Sequence, residues 1–158
     1  MKAAFDPPLA ASALRTRAMR LLDLADPHQV IEWANAALIE DPTNDSLVAL
    51  AILDAEDGQE VDSALDAVLA EMGIAPLYPN EAAMILAKKT AEDIIANKVT
   101  PHDGARFIWV KLARRVPEVE EALRVFIGLA SEWEEDPIHR EQYDSDIVRA
   151  SRSLVRTM

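Results

Sequence analysis

Carboxylates are the side chains present in enough density to do chemistry. From Leu21 to Ala87 there is no Lys or Arg, yet there are fourteen Asp and Glu; the rest of the chain holds fourteen acids against sixteen bases. Glu40, Asp41, Asp54, Glu56, Asp57, Asp62 and Asp66 fall in the densest part. Acids without cations could hold a metal, act as general acid or base, or attract a cationic partner. A metal is the weakest case. Leu53-Asp54-Ala55-Glu56-Asp57-Gly58 looks like a calcium loop only until its ends are read. With Gly58 in the sixth place, the first and last ligand positions are Leu53 and Ala64, which offer no carboxylate. His28, His102 and His139 are far apart, with no HExxH spacing, and read as polar residues near helix starts. Catalysis has little more to stand on. A general acid needs burial to raise its pKa, whereas Glu120-Glu121 and Glu134-Glu135-Asp136 lie on polar helix surfaces. There is no GxxxxGK[ST] or GxGxxG phosphate loop, no GxSxG elbow and no cysteine nucleophile. The expectation is a protein that is not an enzyme and carries no metal or cofactor. The seven acids remain as candidate partner-binding residues, because a field with a reach of about 8 Å at physiological salt draws in basic proteins.

The elements that must carry these residues are helical. The chain has 158 residues, 50% hydrophobic and 28% charged, as expected for one globular domain over 1–158 with an acidic half (21–87) and a near-neutral half (88–158). Only four glycines occur, and Ala, Leu, Glu and other good helix formers dominate. The pattern predicts an all-α fold, a single irregular bundle of about eight helices packed as antiparallel pairs: 8–24, 27–39, 43–56, 59–72, 79–97, 101–115, 117–135 and 140–156. Asp26-Pro27, Asp41-Pro42, Thr100-Pro101 and Asp136-Pro137 each put a capping residue before a proline suited to a first helical turn. Val119, Ala122, Leu123, Phe126, Ile127, Ala130 and Trp133 form the clearest apolar stripe. Trp33, Trp109 and Trp133 fall on or near such stripes and are expected in the core, each indole N–H finding a partner at its rim. Gly104 is expected to allow close packing at a helix start, and Gly128 to mark a neighbour crossing its helix. Residues 37–72 look a little like one tetratricopeptide unit, but no second copy follows.

Net charge is −12, which argues against a nucleic-acid partner. Asp6 and Pro7-Pro8 interrupt the start of the chain, so no signal peptide is expected. No apolar run is long enough to span a bilayer, and no helix joins a basic face to a bulky apolar one, so no membrane partner is expected. With no cysteine, the simplest localisation is cytoplasmic.

The C-terminal half contains Ala91-Glu92-Asp93-Ile94-Ile95-Ala96-Asn97-Lys98-Val99-Thr100-Pro101-His102-Asp103-Gly104-Ala105, then Ile108-Trp109, and after Val116-Pro117 the run Phe126-Ile127-Gly128-Leu129-Ala130-Ser131-Glu132-Trp133-Glu134-Glu135-Asp136-Pro137. This segment, about two-fifths of the chain, resembles one found in small all-helical bacterial proteins, some of them associated with immunity to polymorphic toxins. The resemblance implies no catalytic residues. Joined to the charge pattern, it gives the expectation of a bacterial protein-binding domain, an immunity protein that occludes a basic toxin through its acidic face. The alternative is a structural or adaptor domain that binds through an apolar groove and is acidic only for solubility.

Overall fold

The computed structural model describes residues 7–157, and among them there are helices and no strands. Eight α-helices follow in order: α1 Pro7–Leu21, α2 Pro27–Glu40, α3 Asp45–Ala51, α4 Gly58–Glu71, α5 Pro79–Ile95, α6 Pro101–Phe107, α7 Glu120–Glu135 and α8 Arg140–Arg156. Short 3-10 turns at Pro117–Val119 and Pro137–His139 lead into α7 and α8. The all-α expectation and the number of helices agree with this. The chain forms two compact units, Met1–Ala82 and Ala83–Met158, where length alone pointed to one domain. The boundary falls inside α5.

In the first unit the helix starts are set by capping side chains. Asp26 accepts from the Gln29 N–H while the Gln29 side chain accepts from the Asp26 N–H, a reciprocal cap that opens α2 behind Pro27. Asn44 caps α3 through the Leu47 N–H, and Asp57 caps α4 through the Glu60 N–H. Helix α3 is shorter than the predicted 43–56, because both flanks are spent on caps and turns. Leu9, Val30, Ala34, Leu47, Leu50, Val61, Leu65 and Val68 form the core of this unit, with Trp33 and Met72 packed at its edge. Helix α4 ends at Gly73, whose φ of +77° is left-handed; the Ile74 N–H returns to the Leu69 carbonyl and closes the terminus.

In the second unit Thr100 caps α6 through the Asp103 N–H. A Cβ placed on Gly104 would lie 2.6 Å from the Ile94 side chain, so this glycine does permit the close approach predicted for it. The predicted helix 101–115 changes character midway: Ile108–Ala113 is a π-helical turn, and the Arg114 N–H reaches back to the Trp109 carbonyl. The wider turn keeps Ile108, Leu112 and Ala113 all buried, which an unbroken α-helical register would not do as readily. Helices α6, α7 and α8 pack on one another over Leu123, Phe126, Ile147 and Leu154.

Candidate functional site

The seven acids occupy three places in the first unit. Glu40 and Asp41 end α2, Asp54, Glu56 and Asp57 lie in the α3–α4 connection, and Asp62 and Asp66 sit one turn apart on α4. The last two are already engaged. Arg20 Nε lies 2.8 Å from Asp62, and Arg17 Nε lies 2.7 Å from Asp66, with a longer contact of 3.9 Å from Arg17 to Asp62. The expectation that this stretch has no local cations is therefore corrected. Segment 21–87 lacks them, but α1 packs on α4 and brings two arginines from just before the segment.

Three more acids hold the backbone in place. Asp41 accepts from the Asn44 side-chain amide at 3.1 Å, Asp54 accepts from the Glu56 N–H at 2.9 Å, and Asp57 caps α4. Their types suit turns for that reason. Of the seven, only Glu40 and Glu56 are exposed with a side chain that makes neither a hydrogen bond nor an ion pair to a described residue. Residues 1–82 still hold fifteen acids against four bases.

Glu40 also borders a cavity. A cleft of about 190 Å³ is lined by Pro8, Leu9, Ser12, Trp33, Ala37 and Glu40. Its aromatic wall is fixed: the Trp33 indole N–H donates to the Ser12 hydroxyl, as expected for a tryptophan at a core rim. A half-buried indole beside an unpaired carboxylate suits the end of a Lys or Arg side chain, whose stem lies on the ring while its charge meets the acid. Ile39 and Ile52, 83% and 78% exposed, add apolar surface to the same acidic unit.

The second unit holds a polar constellation that sequence reading missed. The His102 ring stacks on Trp133 with centroids 3.8 Å apart, and the Arg140 guanidinium lies 3.8 Å from the Trp133 ring. Two groups at that distance must take opposite faces, so the indole is sandwiched. Glu134 receives hydrogen bonds from Arg106 and from His102, the latter at 3.3 Å. Desolvation pushes the Glu134 carboxyl up, but the hydrogen bonds from Arg106 and His102 outweigh it and hold it below its ordinary value. Next to it, Asp136 accepts from the Tyr143 hydroxyl at 2.8 Å and meets His139 at 2.7 Å, and both bonds lower its pKa. His102 is thus more than a polar first-turn residue, and Glu134 and Asp136 are more than solvated charges. Each has partners, so the cluster acts as a clamp joining the start of α6 to the end of α7 and the start of α8. The Trp133 N–H is buried without a hydrogen-bond partner among the described residues, contrary to the expectation for the tryptophans. The residues of this clamp lie too far apart in sequence for spacing to reveal it.

No cluster of three or more His, Asp or Glu side chains among the described residues is arranged to hold a metal ion. No helix among them is long and apolar enough to cross a membrane. Neither a family model, nor a curated protein, nor a solved structure matches the chain.

Proposed function

We propose that this is a non-enzymatic protein-binding domain whose acidic first unit docks a basic partner, with an immunity protein occluding a toxin as the specific form. One observation carries the reading: Glu40, exposed and with no ion pair to a described residue, stands beside Trp33 on a cleft sized for a single cationic side chain. The surplus of acids in the same unit supplies the long-range attraction, and the cleft supplies a place for one Lys or Arg to anchor. Carboxylates would take the place of phosphates at the partner's cationic surface. Asp62 and Asp66 contribute to the field but not as free contacts, since Arg17 and Arg20 hold them.

The test is affinity capture from the protein's own cells at low and high salt, using the wild type and a Glu40→Gln, Glu56→Gln variant. A basic protein should be recovered at low salt, released as salt rises, and held more weakly by the variant. Recovery indifferent to both salt and the two substitutions would discard the electrostatic reading and favour the adaptor alternative.

A further inference from the structure

We infer that the groove between α7 and α8 is a self-association surface that takes the same helix pair of a second copy of this chain. The groove has a volume of about 590 Å³ and an apolar floor of Ala122, Val125, Phe126 and Leu129 from α7 with Ala150 and Leu154 from α8. The first half of α7 therefore faces the second half of α8, as in an antiparallel pair. Val125 is half exposed on this face. Gly128 adds a second observation. A glycine inside a helix is unfavourable, and a Cβ there would meet nothing within 4 Å, so no packing inside the chain calls for it. An approaching helix gives it a purpose, because only there does the missing side chain matter.

Charge selects the occupant. Glu121 lies one turn before Val125 on α7 and Arg156 one turn beyond Ser153 on α8, so helical spacing puts each on the outer side of its helix beside the groove; both are exposed, and neither has an ion pair with a described residue. Arg149, whose contact with Asp146 is 3.4 Å, lines the same edge of α8. Because the pair is antiparallel, Glu121 and Arg156 lie at the same end of the groove. A two-fold axis parallel to the helices lays α7 on α8 of the other copy and sets Glu121 against its Arg156, twice over. A two-fold axis across the helices would instead lay α7 on its own image and bring Glu121 towards Glu132. The end of the groove that holds Glu121 and Arg156 is thus self-complementary in one arrangement, with the floor of each groove covering the other.

Sedimentation velocity on the full chain over a concentration series tests this. A reversible monomer–dimer equilibrium is expected, and Val125→Asp should abolish it. Glu121→Arg and Arg156→Glu should each weaken the dimer by about tenfold, since each replaces two attractive pairs with repulsive ones. The two charge reversals together should restore it. Circular dichroism confirms that each variant is folded, and Ser153→Glu on the groove rim serves as a second disrupting change should Val125→Asp fail to fold. A wild type that stays monomeric throughout overturns the inference. So does a dimer that ignores the groove substitutions, or a groove that captures only a foreign acidic helix.

Discussion

Asp136 and Tyr143 show how one hydrogen bond sets two titrations. The bond holds the Asp136 carboxyl below its ordinary value, with His139 helping, and it raises the Tyr143 hydroxyl to about 12. The signs follow from linkage. A depressed carboxyl contributes stability that is present above its unfolded pKa and is lost as pH falls through the folded value. A raised tyrosine contributes stability that is present below its unfolded pKa and is lost as pH climbs towards the folded one. In Tyr143→Phe, NMR titration of the Asp136 carboxyl should show its pKa moving up towards the ordinary range while keeping some depression from His139. An unchanged Asp136 titration would show that Tyr143 does not supply the effect. Side chains such as these could not be paired from the sequence, because Asp136 and Tyr143 are seven residues apart across a helix start. His102 and Trp133 are farther apart still.

At the level of elements, the two helical glycines make opposite predictions. Gly104 faces Ile94 at a distance no Cβ could share, so Gly104→Ala should destabilise the protein by about 1–3 kcal/mol through overpacking. Gly128 has open space around it, so Gly128→Ala should stabilise the monomer by about 1 kcal/mol through better helix propensity. Denaturant titration of both variants reads the pair, and a shared sign would contradict the packing described for α5 and α6. The sequence pointed to close packing at both positions, and only one has it. Glycine marks a site where a side chain is missing but cannot say whether a neighbour from the same chain has used the space. The π-helical turn at Ile108–Ala113 was hidden for a related reason: its apolar spacing is close enough to an α-helical stripe to be read as one.

For the whole molecule, charge is the controlling quantity. The formal charge is −12, and residues 1–82 carry most of the excess. Repulsion among like charges works against the compact state, and added salt screens it over about 8 Å near physiological strength. The melting temperature should therefore rise as sodium chloride goes from low to moderate concentration, followed by far-ultraviolet circular dichroism. The Arg17 and Arg20 pairs oppose this trend but are few and partly exposed, and such pairs are worth at most about 1 kcal/mol each. A melting temperature that falls steadily with salt would mean that local pairing outweighs the surplus.

The sequence by itself determined the helices, most of their starting residues and the excess of acid. Each of these depends on neighbours in the chain: Asp26 caps the helix that Pro27 begins, and the apolar stripe of α7 repeats every three or four residues. Only the tertiary structure decided which acids are free. Helix α1 returns to α4 and engages Asp62 and Asp66, while Glu40 is left beside Trp33. The physical reason is that periodicity and capping act within a turn or two of chain, whereas whether a charge is paired depends on which helices pack together.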